Sequence, residues 1–171
     1  MKDGVFTRTR NGAALPLERV PLSDFDSFRG ALLGELAGGK RLVSFFASPD
    51  EGAAAALWAV VADDGPGTLA VGRALLADDR FPSLTPAAPQ AHLFEREMAE
   101  QLGLKPQGHP WLKPVRYRPS WRPGHDAWGR KAGDPILPAV GDFFRVEGDE
   151  VHEVAVGPVH AGVIEPGHFR F

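Results

Sequence analysis

Apolar residues first fall into a helical rhythm at Phe25, Phe28, Leu32, Leu33 and Leu36, the spacing of a helix with one buried stripe. Ser23, with Asp26 three residues on, predicts an N-cap in the capping-box arrangement. Gly38-Gly39 ends the run with residues that tolerate positive φ. Ahead of it, residues 5–9 read as a short strand. Behind it the rhythm shifts to strand-like runs over Arg41–Ala47, Leu57–Ala62 and Thr68–Leu76. The turn Asp63-Asp64-Gly65-Pro66-Gly67 makes the last two an antiparallel hairpin. Asp78–Ala88 reads as a polar loop containing proline. A second helix follows over Pro89–Leu102, with Ala91, Phe94, Met98 and Leu102 on one stripe and Gly103 as its cap. The expected fold is α+β: a two-layer domain with a mixed or antiparallel sheet and helices on one face.

From Lys105 the periodicity is lost and Gly and Pro become frequent. Residues 105–141 read as an extended arm, of a kind that lies on a partner or stays mobile. Phe143–Val146 and Val151–Val156 flank Glu147-Gly148-Asp149-Glu150 and suggest a hairpin opening a following domain. The expected organisation is therefore 1–104, 105–141 and 142–171.

The second helix carries Glu95-Arg96-Glu97. Three consecutive charges project around a helix, so at least one must face the domain or a partner. The plain reading is a solvated surface with Arg96 and Glu100 as a weak i,i+4 pair. The Gly108-His109-Pro110 turn, with Lys113 and Arg116 behind it, favours a role in orienting the 103–116 segment by charge-assisted hydrogen bonds. Pro110 biases His109 toward an extended or turn conformation, and a structural hydrogen bond there is favoured over a catalytic base. His152, His160 and His168 recur every eight residues, a spacing that fits neither a helical pair nor a zinc site. A strand follows Gly65-Pro66-Gly67, so it is not a nucleotide loop.

Composition narrows the function. The chain of 171 residues contains no cysteine, which excludes disulfides and thiolate ligation of iron–sulfur clusters, zinc or nickel–iron. No apolar run is long enough to span a bilayer, and Met1-Lys2-Asp3-Gly4 lacks the apolar core of a signal peptide, so a cytoplasmic address is expected. Residues 105–131 hold seven Lys and Arg against one acid, with three of the four tryptophans, so +6 sits here against −9 elsewhere. Such an arm suits a protein contact, because Trp and Arg are enriched at interface hot spots. The alternative is a module binding single-stranded nucleic acid through residues 105–131. A third possibility, a small hydrolase, would need His109 within reach of Glu95 or Glu97.

The stretch Phe94–Leu104 followed by Gly108–Arg116 resembles the signature of the 30 kDa subunit of respiratory complex I and of its relatives in membrane-bound nickel–iron hydrogenases. The resemblance covers roughly residues 20–118 and is most specific over 81–116, with Phe81-Pro82-Ser83-Leu84-Thr85 similar to the family's segment before the helix. Glu95, Arg96, Glu97, Glu100, His109 and Lys113 match signature positions, and Arg116 joins them as an interface candidate. Gln101, Trp111 and Pro114 depart from the usual pattern, as in a divergent branch. Gly157-Pro158-Val159-His160 and Glu165–Arg170 resemble the opening of the large subunit of formate hydrogenlyase-type, energy-converting hydrogenases, or of that subunit's counterpart in complex I. The resemblance implies that the chain is the N-terminal domain, linker and first residues of a larger oxidoreductase subunit. His160 and His168 are then the candidates to approach the parent enzyme's active site. It further implies a non-catalytic accessory domain with no activity or cofactor of its own. The nickel–iron centre, iron–sulfur clusters or quinone would lie elsewhere in the complex. Its partners would be the hydrogenase-like large subunit, iron–sulfur subunits and membrane subunits, with no nucleic acid and no direct insertion in the bilayer. Its place would be peripheral, on the inner face of the cytoplasmic membrane.

Overall fold

The computed structural model describes residues 4–136, 148–149, 153–156 and 167–170. They fall into two compact units, residues 1–138 and 139–171. In the first, strand β1 (Thr7–Arg10) and the short β2 (Leu22–Ser23) precede helix α1 (Phe25–Ala37). Then come β3 (Arg41–Ser48), β4 (Ala55–Asp63), β5 (Thr68–Leu76), β6 (Arg80–Pro82), α2 (His92–Leu102) and β7 (Lys105–Gln107). The main sheet has the order β1-β5-β4-β3, with β2 also paired to β5 in parallel. The β4–β5 hairpin is in register from Ala55↔Leu76 to Asp63↔Thr68. The α+β architecture is that expected from the sequence.

Helix α1 starts one residue later than Ser23 suggests. Asp24 is its N-cap and accepts from the Ser27 amide at 2.8 Å, while Ser23 belongs to β2. That amide holds the Asp24 carboxyl below the usual carboxylate range. Phe28, Leu32 and Leu36 of α1 are buried with Met98 and Leu102 of α2 against Phe45, Leu57, Ala59 and Val61. A Cβ on Gly72 would lie 2.7 Å from the Val5 carbonyl oxygen and 2.9 Å from the Phe6 ring. The missing side chain lets Phe6 reach the core and stack on Phe28, with centroids 6.0 Å apart. At the β3 edge, Gln90 closes the main chain: its Oε1 accepts from the Leu42 amide at 2.7 Å and its Nε2 donates to the Lys40 carbonyl at 3.3 Å.

The opposite face of the sheet carries Phe46, Trp58, Val60, Leu69, Val71, Arg73 and Leu75, by the alternation of each strand and the register between them. Among the described residues, neither helix packs against it.

The segment expected to be loop over 78–88 contains β6, which pairs in parallel with β7 through Phe81↔Pro106. Helix α2 is the crossover between them, making a small βαβ unit. Over the described residues 108–136 the chain is irregular, as its composition implies. It does not stand off the domain, however, and residues 111–126 run back along α2. In the second unit, β8 (Glu153–Val156) pairs antiparallel with β9 (Gly167–Arg170). The strand expected at Phe143–Val146 lies outside the described residues.

Candidate functional site: the charged helix and its arm

Helix α2 follows a 3-10 turn at Pro89–Ala91 and ends at Gly103, which takes φ 69°. Its apolar stripe faces the sheet, and its charged residues divide between the segments on either side of it in sequence. Glu95 is fully buried and turns toward the preceding segment. Its carboxylate accepts from Ser83 Oγ at 2.6 Å, the Leu84 amide at 2.6 Å and the Thr85 amide at 3.3 Å, and also from Thr85 Oγ1. A buried carboxylate survives only when its oxygens are satisfied in this way.

Arg96 turns toward the following segment and is 7% exposed. Its Nε donates to the Lys113 carbonyl at 2.7 Å and its Nη2 to the Pro114 carbonyl at 2.9 Å. The guanidinium lies 4.6 Å from the Trp111 ring centroid, and Lys113 Nζ lies 5.5 Å from the same centroid. Glu100, 2% exposed, accepts three main-chain amides of the arm. Its Oε2 takes Val115 and Arg116, each at 2.8 Å, and its Oε1 takes Arg118 at 2.6 Å. The i,i+4 pair anticipated between Arg96 and Glu100 is therefore replaced by bonds to the arm. Glu97 is the outermost of the group: it accepts from Gln101 at 3.2 Å and from Arg116 Nε at 2.8 Å.

His109 sits at the turn. Its Nδ1 accepts from the Trp111 amide at 3.1 Å, which leaves its Nε2 to donate to the His92 carbonyl 3.2 Å away. The rings of His92 and His109 lie 5.2 Å apart, and His92 stacks on Trp111 at 6.0 Å. Burial, with the positive charge of Arg96 and the neighbouring His109, lowers the pKa of His92. Both ring nitrogens of His109 are used by main chain, and Glu95 and Glu97 are used by other groups. The constellation required of a hydrolase is not assembled.

Past Arg118 the arm continues over the C-terminal end of α2. The Trp121 amide donates to the Gln101 carbonyl at 2.7 Å, and Arg122 Nη1 donates to the Leu102 carbonyl at 3.0 Å. A Cβ on Gly103 would fall 2.6 Å from the carbonyl carbon of His125, so glycine is needed there for space as well as for φ. Asp79 joins this end to the sheet, accepting from Arg122 Nη1 at 2.7 Å and His125 Nδ1 at 2.7 Å. Partial burial pushes its pKa up, but the donation and positive charge of Arg122 and His125 outweigh it and hold the carboxyl below its usual range. Asp126 likewise has burial opposed by Arg130 and by the amides of Arg130 and Trp128, with a net lowering. Sequence reasoning missed Asp79 and His125. The signal available for Asp126 was its standing as the one acid in a basic arm.

Residues 57–131, which span the hairpin, the βαβ unit and the arm, match the family of the respiratory-chain NADH dehydrogenase, 30 Kd subunit. This stretch is similar to the complex I 30 kDa type of domain. The chain is also similar to Hydrogenase-4 component G of Escherichia coli (strain K12), at 34% identity over 102 residues. That similarity covers 55% of this chain but 18% of the relative, so the chain corresponds to a small part of that protein's length. Within the matched stretch, Glu95, Arg96, Glu97, Glu100, His109, Lys113 and Arg116 all lie on α2 or on the arm it holds. His160 lies outside the described residues. His168 falls in β9, in the other unit. No helix among the described residues is long and apolar enough to cross a membrane.

Proposed function

We propose that this chain supplies a non-catalytic accessory domain to a membrane-associated oxidoreductase complex of the hydrogenase or NADH:quinone oxidoreductase type. The family match supports the coarse part of this reading, a subunit role in such a complex. The observation that carries the finer part is the use of the signature charges. Glu95, Arg96 and Glu100 are buried and satisfied by the protein's own chain, so they give a contact surface its shape. A reaction would need them free. The same arm then presents Trp111 and Trp121, 53% and 69% exposed, to a large subunit and to iron–sulfur subunits. Redox centres would reside in those partners, since the chain lacks cysteine. The domain would sit on the cytoplasmic side through the complex, without entering the bilayer.

A nucleic-acid role is the weaker reading because Arg116, Arg122 and Arg130 are paired with Glu97, Asp79 and Asp126. Those pairings reduce the field that would attract phosphates. The test is purification of the tagged full-length protein from its own cells under native conditions. Co-elution with iron–sulfur and membrane subunits is expected. Elution as a free monomer would overturn the proposal.

A further inference from the structure

The central strands are apolar on both faces. In β4 and β5, Leu57, Ala59, Val61, Ala70 and Ala74 face the helices, while Trp58, Val60, Leu69, Val71 and Leu75 face away. An antiparallel sheet with one face in water normally alternates apolar with polar, whereas strands covered on both faces read as continuous apolar runs. The outward face is instead centred on an aromatic pair. Phe46 stacks on Trp58 at 6.3 Å with planes 10° apart, and Phe46 is 44% exposed. Trp58 is fixed by donating Nε1 to Ser48 Oγ at 3.1 Å. Beside the pair, the Arg73 guanidinium lies 5.3 Å from the Trp58 centroid, with its Nε buried and without a hydrogen-bond partner among the described residues.

We infer that this sheet face is a second docking surface, distinct from the arm, and that it takes an apolar surface of a different protein carrying a carboxylate that meets Arg73. Charge selects the occupant. Arg73 lies on β5 in the middle of the sheet, so two copies packed face to face around a two-fold axis would bring like charges together in an apolar interface, which is costly. A carboxylate from another protein would offset the charge of Arg73 at this face, meeting the guanidinium through its Nη groups. The proposal extends the subunit role above by giving the domain two opposite contacts, so that it bridges neighbours.

The test uses the full-length tagged protein in its own cells, with a photoreactive benzophenone amino acid at Phe46 and, separately, Val60→Lys and Arg73→Met. Cross-links from position 46 are expected to map to one subunit of the co-purifying complex, next to an Asp or Glu. Recovery of that subunit should fall at least tenfold in both variants, while circular dichroism and the melting temperature of the isolated protein stay unchanged. If the complex co-purifies but position 46 yields no cross-link and both variants recover it fully, the docking face is overturned and the subunit role stands. If nothing co-purifies, the subunit role itself fails. Light scattering that shows a dimer lost in Val60→Lys would assign the face to a second copy and overturn the proposal. Flotation of the isolated protein with phosphatidylglycerol vesicles, abolished by Val60→Lys, would assign it to lipid and overturn it equally.

Discussion

Replacing Glu100 with Gln isolates the contribution of one buried carboxylate to the placement of the arm. In the native protein its two oxygens accept three amides, from Val115, Arg116 and Arg118. The best placement for Gln puts its oxygen against Val115 and Arg116. Its NH2 group then faces the Arg118 amide, donor against donor. One hydrogen bond to a charged acceptor disappears, worth about 1.5–3 kcal/mol, and two others lose their charge assistance, roughly 1 kcal/mol each. Burying a neutral group in place of a charge returns part of this. A net cost of about 2–3 kcal/mol follows, which raises local opening of the arm by roughly 30- to 150-fold. Hydrogen exchange read by mass spectrometry on peptides covering 113–119 should show that acceleration, while peptides from the β4–β5 hairpin keep their native rates. Glu97→Gln is the control: its pair with Arg116 is exposed on both sides and worth about 0.2–1 kcal/mol. Native exchange at 115, 116 and 118 in Glu100→Gln, or equal acceleration in Glu97→Gln, would refute the reasoning.

Two further outcomes follow from the C-terminal end of α2. Gly103→Ala places a methyl group against the His125 carbonyl in a left-handed conformation, so a loss of at least about 2 kcal/mol is expected by chemical denaturation; a neutral effect would contradict the packing there. Asp79 has a folded pKa below its ordinary value, so its contribution is present above the unfolded pKa and is lost as pH falls through the folded one. Urea midpoints measured downward from pH 5 should therefore decline less steeply in Asp79→Asn than in the native protein; parallel curves would remove Asp79 from the account.

The elements that periodicity controls were legible. β5 runs over the expected Thr68–Leu76, and the buried stripe of α1 is the one its spacing implies. The start of α1 was displaced because Ser23 and Asp24 are both competent caps, and only the pairing of β2 with β5 decides between them. β6 and β7 were not legible. Arg80-Phe81-Pro82 and Lys105-Pro106-Gln107 carry proline and charge, and they are strands only because α2 carries one beside the other. The charged triplet announced that some charge must turn inward, but not which one. Glu95 points back to Ser83–Thr85 and Arg96 forward to Lys113–Pro114. That assignment depends on which segment brings amides or carbonyls to each side of the helix, and a linear sequence does not contain it. The same holds for Asp79, 43 residues from Arg122 and 46 from His125.

The grip of α2 on the arm also fixes where this polypeptide can be cut. A truncation after Leu104, at the apparent end of the regular elements, would remove every amide that Glu100 accepts and both carbonyls that Arg96 donates to. It would uncover Arg96 and Glu100 and leave their bonding groups to water and to each other. A piece that keeps these contacts, and those of Trp121, Arg122 and His125 with Gln101, Leu102 and Asp79, has to run to residue 125 at least, and the stretch that looks like a tether is the last part of the domain to be finished as the chain is synthesised.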